Sequence, residues 1–307
     1  MKLTIDAADR VDKALARFYP EAGRKQLAEL FADGAVRVNG KRASKGDRVN
    51  AGDVIELARE PVSGTALRPA PDPDVPLVIL AERSELVAIA KPAGVPSQPL
   101  RAGELGTIAN AIAFRFPECV AIGDDPRDGG LVHRLDIGTS GVLVVARTLD
   151  AYHALRAAFG AGMVVKHYLA ITDGRPVARE CDAPLAQRGK RVVVDLAEGL
   201  PAYTEIAVEG VSQGHEAHDA HEAHAGHALV RCIARTGRMH QVRAHLAHVG
   251  APITGDALYG GAALPGHDGF FLHGASIALP IGGGEPLLIE APIPDRFSRA
   301  LAACALA

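Results

Sequence analysis

His133-Arg134-Leu135-Asp136-Ile137-Gly138-Thr139-Ser140-Gly141, followed at once by the apolar run Val142 to Ala146, decides how this chain is read. The run has the length and composition of a buried strand. The nine residues before it place one carboxylate, Asp136, beside an arginine and among small, turn-forming residues. A carboxylate at the mouth of a buried strand is costly unless it is paired or chemically employed. The structural alternative is an Asp that merely caps a turn through Thr139 and Ser140.

Outward from this string, composition sets bounds. At 307 residues the chain accommodates one large domain or two unequal ones. No apolar run approaches the roughly 18 residues of a membrane span. The opening Met1-Lys2-Leu3-Thr4-Ile5-Asp6 lacks the layout of a signal peptide. Cys119, Cys181, Cys232 and Cys304 are scattered without a Cys-x-x-Cys pair, which suits reduced thiols of a cytoplasmic protein and neither a disulfide frame nor a zinc site. With 33 Lys and Arg against 36 Asp and Glu, the formal charge is −3, so any nucleic-acid contact must come from local patches.

Residues 1–60 read as a small α/β unit. Val11, Leu15 and Phe18 fall at helical spacing, as do Leu27, Leu30 and Phe31, and Gly34 is placed to end the second helix. Val36 and Val38 alternate before the tight-turn signal Asn39-Gly40, and Val49, Val54, Ile55 and Leu57 suggest further strands. Between residues 24 and 48, the bases Arg24, Lys25, Arg37, Lys41, Arg42, Lys45 and Arg48 outnumber Glu29, Asp33 and Asp47, leaving a local +4. Residues 61–76, punctuated by Pro61, Pro69, Pro71, Pro73 and Pro76, read as a semi-extended linker. Residues 77–307 form a second domain that opens on the short strands Leu77 to Leu80 and Leu86 to Ala90. Candidate helices are Thr107 to Phe116, Asp150 to Phe159 and His240 to His248. Short strands alternate with these few helices, which predicts an α+β fold with a mixed, largely antiparallel sheet. His215, His218, His221, His224 and His227 recur every third residue within 215–227, read as a low-complexity insertion between the strands Thr204 to Val211 and Ala228 to Ala234. The run could gather imidazoles for a metal, but it drifts around a helix without other ligands.

The whole string His-Arg-Leu-Asp-x-x-Thr-Ser-Gly resembles the signature of the pseudouridine synthases that modify large-subunit ribosomal RNA and some transfer RNA. Lys91-Pro92-Ala93-Gly94, Lys166-His167-Tyr168 and Thr236-Gly237-Arg238-Met239-His240-Gln241-Val242-Arg243-Ala244-His245 resemble further elements of that family. Arg10 to Leu15, Arg24-Lys25, Gly34 to Gly40 and Gly52 to Ile55 resemble an S-four-like (alpha-L) RNA-binding domain. These resemblances imply a pseudouridine synthase fold behind a small RNA-binding domain, whose Arg24, Lys25, Arg37, Lys41 and Arg42 contact RNA phosphates.

The reaction so implied detaches uracil from its sugar, turns the ring over and rejoins it through carbon. No electrons enter or leave, so neither cofactor nor metal is expected. Asp136 is then the nucleophile or acid/base, and the resemblance sets Arg243 beside it, expected to grip both oxygens in a bidentate pair. Tyr168 would lie against the uracil, Arg134 would fill the gap left by the extruded nucleotide, and Leu272 would wall the pocket. Gly255-Asp256-x-x-Tyr259-Gly260 reads as a structural turn, and His273-Gly274-Ala275 departs from the His-Ala common in relatives. The expected partner is RNA, ribosomal before transfer RNA, met by a monomer. A non-catalytic ribosome-assembly factor would have lost one of Asp136, Tyr168 and Arg243, and a metal-dependent hydrolase would depend on the His run.

Overall fold

A computed structural model describes residues 1–20, 22, 24–61, 65–212, 226–281 and 284–306. The first unit runs β1 (Lys2–Thr4), β2 (Asp9–Arg10), α1 (Val11–Phe18), α2 (Arg24–Ala32), β3 (Val36–Val38), β4 (Lys41–Arg42), β5 (Arg48–Val49) and β6 (Val54–Leu57). Its sheet has the order β1-β6-β3-β4, antiparallel throughout. The apolar faces foreseen from spacing meet in one core: Val11 and Leu15 of α1 and Leu27, Leu30 and Phe31 of α2 pack with Val36, Ile55 and Leu57. Asn39 (φ 49°) and Gly40 (φ 80°) both occupy the left-handed region, as the mirror-image turn of a two-residue hairpin requires.

The second half of the proline-rich stretch differs from a semi-extended linker, because it is fixed onto the second unit. Asn110 Nδ2 donates to the Ala70 carbonyl at 2.7 Å, and the buried Asp72 accepts from the backbone N–H groups of Gly106 and Asp74. An isolated buried carboxylate would be costly, so these bonds decide where the chain enters the domain.

The second unit contains β7 (Val78–Glu82), β8 (Leu86–Lys91), α3 (Ile108–Arg115), β9 (Ser140–Ala146), α4 (Leu149–Gly160), β10 (Val165–Asp173), β11 (Glu180–Cys181), β12 (Leu185–Arg188), β13 (Arg191–Val194), β14 (Thr204–Val211), β15 (His227–Ala234), α5 (Gln241–His248), β16 (Leu272–Leu279), β17 (Leu287–Glu290) and α6 (Asp295–Ala303). Nine strands form one sheet, β11-β14-β15-β10-β16-β9-β8-β7, with β17 paired to β16; β12 and β13 make a separate ribbon. Among the described residues the contact between β9 and β16 is parallel and every other pairing in the large sheet is antiparallel. The fold is therefore α+β with a mixed, largely antiparallel sheet and flanking helices, as expected. Residues His215, His218, His221 and His224 lie outside the described residues. His227 opens β15, and its N–H donates to Ser212 Oγ at the described edge of that segment.

Strand alternation sends neighbouring side chains to opposite faces, and helices cover both. On one face, α3 packs through Ile108 and Ile112 on Val87, Ile89, Leu143 and Val145. Also on that face, α5 packs through Val242 and Leu246 on Ala170, Val230, Cys232 and Leu272. On the other face, Tyr152 and Leu155 of α4 cover Ala88, Val142 and Val144, while Phe297 of α6 covers Ile171. Between α3 and α5 the register sets out a row across the sheet: Cys232, Tyr168, Gly274, Gly141, Lys91. Its middle positions carry no side chain, so Tyr168 and Lys91 face each other across a bare floor.

That floor tolerates change unevenly. Gly141 has φ +128°, and a Cβ there would sit 2.2 Å from the Gly274 carbonyl oxygen; a Cβ on Gly274 would meet nothing closer than 3.6 Å. Gly141→Ala should therefore cost roughly 3 kcal/mol or more and Gly274→Ala under about 1 kcal/mol. Urea unfolding of the two variants checks this, and equal losses would contradict the reading of the seam.

Candidate active site

The site is built where the loop before β9 meets the start of α5. Ser97 clamps Leu135 from both sides, its hydroxyl donating to the Leu135 carbonyl and accepting the Leu135 N–H. One residue on, Asp136 has its carbonyl taken by the Thr139 N–H, which closes a turn and leaves the carboxylate 25% exposed. The Ile137 carbonyl accepts from Gly94 N at 2.7 Å, so the Lys-Pro-x-Gly turn is stitched to the same loop. Gly138 lies under the Phe270 ring, where a Cβ would come within 2.6 Å.

Lys91 supplies the third fixing point. Its buried Nζ donates to the carbonyls of Pro92, Ile137 and Thr139 at 2.8–3.1 Å. Burial pushes its pKa down from 10.5 to about 8, with the Asp136 charge opposing the fall.

Arg243 comes from α5 and is 7% exposed. Its Nη1 donates to Asp136 Oδ2 at 2.9 Å, while Nε and Nη2 grip both oxygens of buried Asp256 at 2.7 and 2.8 Å. This corrects the expected pairing: the bidentate partner is Asp256, and Asp136 receives one bond. Asp256 was read as part of a structural turn, and spacing gave no sign that it would complete the site. Burial works against the guanidinium's charge, but the bonds and charges of Asp256 and then Asp136 outweigh it, holding the pKa above its ordinary value. The flat group packs against two rings, 4.3 Å from the Phe270 centroid and 5.0 Å from that of Tyr259. Two carboxylates and two cations, Arg243 and Lys91, thus balance in a small volume.

The rest of the Thr236-to-His245 string anchors this arginine. Gln241 accepts from Thr236 Oγ1 and Arg238 N and donates to Tyr203 O and Thr204 Oγ1, using all its capacity. His245 bonds Thr204 Oγ1 and the Ala183 carbonyl through its two ring nitrogens. Lys166, buried, donates to the Thr236 carbonyl at 2.6 Å. His240 precedes the helix; its Nε2 lies 3.8 Å from Asp136 Oδ1 and its Nδ1 lies 3.0 Å from the Tyr259 hydroxyl.

Tyr168 sits on the same face at the junction of the cores under α3 and α5, and burial raises its hydroxyl pKa, with Asp136 adding to the rise. Leu272, 5% exposed, belongs to the core under α5. Arg134 is exposed at the opening of the loop. Far from this cluster in sequence, Arg37, Lys41 and Arg42 are exposed on the hairpin of the first unit. Arg37 and Arg42 stand directly opposite each other, each donating to a backbone carbonyl. Arg24 and Lys25 lie in α2, and their side chains fall outside the described residues. Sequence reasoning missed Lys91, His240, Asp256 and Tyr259 as members of the site.

Comparison with known proteins identifies relatives of the whole chain. The RNA pseudouridylate synthase family matches residues 85–248, and the S4 domain family matches residues 9–55. Ribosomal large subunit pseudouridine synthase D of Xanthomonas campestris pv. campestris is 35% identical over 317 residues, covering 97% of this chain and 89% of that protein. The protein of the same name from Yersinia pestis is 32% identical, covering 83% of this chain and 74% of its own. Among solved structures, human RNA pseudouridylate synthase domain containing 4 superposes with a TM-score of 0.56 at 24% identity, covering 74% of this chain and 92% of that one, a likeness of fold.

The buried ammonium makes a prediction about pH. Between pH 8 and 10.5 the folded chain has released a Lys91 proton that the unfolded chain still holds, so stability from this site rises with pH across that window. Relative to Lys91→Met, the wild type should gain on the order of 3 kcal/mol from about pH 7 to pH 10.5. Urea denaturation at several pH values measures the difference, and a pH-independent difference would contradict it.

Proposed function

The chain belongs to the RNA pseudouridylate synthase family, and from that premise we propose that it isomerises selected uridines of large-subunit ribosomal RNA, with Asp136 as the reacting carboxylate. The reaction breaks the bond from C1′ to N1 of the uracil and makes one from C1′ to C5. The C5 proton leaves to solvent, N1 gains one, and no oxidant or reductant is consumed.

The observation that carries this reading is the unequal treatment of two carboxylates by one guanidinium. Asp256 is buried and doubly bound, a structural anion. Asp136 is held at one oxygen only and remains a quarter exposed. An acid that must approach a sugar or ring needs a free oxygen, a fixed direction and a nearby cation to keep it charged. Tyr168 borders the space a uracil would occupy, and α3, α5 and the loop before β9 would shield the detached base from water. Arg134, exposed two residues before Asp136, is placed to meet the RNA where the nucleotide is drawn out. Leu272, in the core under α5 beside the glycine seam, would wall the uracil pocket.

Residues 1–60 we assign to RNA binding and residues 77–307 to catalysis, joined by 61–76; the expected insertion 215–227 is shorter by its last residue, because His227 already belongs to β15. The opposed Arg37 and Arg42, with Lys41, offer a cationic hairpin whose like charges would be relieved by phosphate. Arg24 and Lys25 we assign to the same RNA-binding role on the strength of the motif alone. Four buried free thiols suit a reducing cytoplasm, and a site complete within one chain suits a monomer.

Asp136→Asn should lower pseudouridine formation by at least about 10³-fold while thermal unfolding and RNA affinity stay near wild type. Tritium release from a [5-³H]uridine-labelled large-subunit transcript is the readout, and near-normal release by this variant would overturn the assignment. Arg37→Glu with Arg42→Glu should raise KM while kcat holds, and should flatten the dependence of binding on salt. An unchanged KM in both low and moderate salt would remove the hairpin from the RNA interface.

A further inference from the structure

His240 occupies the left-handed region, φ 53° and ψ 21°, which few residues other than glycine adopt. It stands at the N-cap of α5 yet makes no capping bond with its side chain. Its ring is turned instead toward two groups, the Tyr259 hydroxyl and the Asp136 carboxylate. Strained conformations of this kind persist where surrounding structure over-determines them, and they concentrate at working sites.

The hydrogen bonds around Tyr259 fix the direction of the proton. The Val192 N–H of β13 donates to the Tyr259 oxygen at 2.9 Å, so that bond uses a lone pair and not the hydroxyl proton. Tyr259 is buried, its proton therefore needs an acceptor, and among the described residues His240 Nδ1 at 3.0 Å is the one at hand. A neutral imidazole that accepts at Nδ1 carries its proton on Nε2. Burial favours that neutral form by lowering the ring's pKa, with Asp136 opposing and the Arg243 charge assisting. Nε2 faces Oδ1 of Asp136 at 3.8 Å, and Oδ1 is the oxygen to which Arg243 makes no bond.

We propose that His240 is a positioning residue for the reaction: Tyr259 sets its tautomer so that Nε2–H faces the free oxygen of Asp136 and fixes the rotation of that carboxylate. The two oxygens thereby receive different donors, a guanidinium on Oδ2 and a neutral N–H directed at Oδ1. The separation at Oδ1 is longer than a hydrogen bond, which leaves that oxygen available to substrate while the N–H biases where it points. With the opposite tautomer, a nitrogen lone pair would face a carboxylate lone pair and push Oδ1 away. The chain of influence runs from a backbone N–H in β13 through Tyr259 and His240 to Asp136. The left-handed backbone at residue 240 aims the ring along it.

The inference rests on Asp136 being the reacting acid, and its test separates the two. Nitrogen-15 NMR of the full-length protein labelled at histidine reads the His240 tautomer without any turnover, with His240→Asn identifying the signal. The expected result is Nε2–H in the wild type and loss of that preference in Tyr259→Phe, which keeps the ring against Arg243. On the [5-³H]uridine transcript, Tyr259→Phe and His240→Asn should each lower kcat about tenfold with KM within about twofold. Asn is chosen because it accepts a left-handed backbone. The double variant should be no slower than His240→Asn alone, because the Tyr259 hydroxyl acts only through His240 while the Phe ring keeps its place against Arg243. A wild-type Nδ1–H tautomer, full kcat in Tyr259→Phe, or losses that multiply in the double variant would each overturn the proposal. If Tyr259→Phe loses its fold, judged by circular dichroism, the wild-type tautomer and the kcat of His240→Asn decide it. Turnover retained by Asp136→Asn would instead remove the premise and leave the tautomer standing.

Discussion

One buried guanidinium, shared unequally between two carboxylates, is the interaction on which the rest of this structure depends. Arg243 reaches Asp136 across 107 residues of sequence and Asp256 across 13. Leaving Arg243 or Asp256 unpaired in the interior would cost about 3–5 kcal/mol, so those two are fixed together, while the partly exposed Asp136 is held by a single bond. Two aromatic rings packed on it, Phe270 and Tyr259, restrict the guanidinium further. Arginine suits the place because its fork binds one acid with two donors and still has a third for another; the compact ammonium of lysine has no such geometry.

The sheet explains why this cluster can form. Parallel pairing of β9 with β16 makes both strands begin at the same end, so the loops before them arrive side by side. One loop carries Asp136 and the other carries Asp256 and Phe270. α3 and α5 cover the sheet on either side of the seam, each over its own apolar patch. The gap they leave falls over Gly141 and Gly274, where backbones approach too closely for a side chain on the first. Lys91 ties the Asp136 loop down through the Ile137 and Thr139 carbonyls at one edge of the gap. Packing, register and electrostatics therefore converge on one small volume.

Much of this was legible in the sequence, and the rest was not for identifiable reasons. Apolar spacing located α1 and α2, α3 to α5 were recognised as candidate helices, and Asn39-Gly40 marked the hairpin, because these signals are local. Asp136 stood out because a carboxylate before a buried strand is locally anomalous. The resemblance of motifs then associated it with Arg243, a contact that no spacing rule predicts. What it missed was how the partners divide: the expected bidentate grip on Asp136 belongs to Asp256. Lys91 looked like the start of a turn, and its role at the Asp136 loop comes from strand register between β8 and β9. Tyr259 and His240 were invisible for the same reason, since tautomers and aromatic stacking are set only when distant segments pack.

The central claim is that Asp136, steered by Arg243 and by the pinned loop, meets a uridine drawn out over the glycine seam. Its most direct test is a structure of the protein bound to large-subunit RNA carrying 5-fluorouridine at a modified position. The account predicts the fluorinated ring over Gly141 and Gly274 beside Tyr168, with its nucleotide bonded to or touching an Asp136 oxygen while Arg243 still holds Asp256. A nucleotide bound away from that seam, with Asp136 touching only protein, would contradict it.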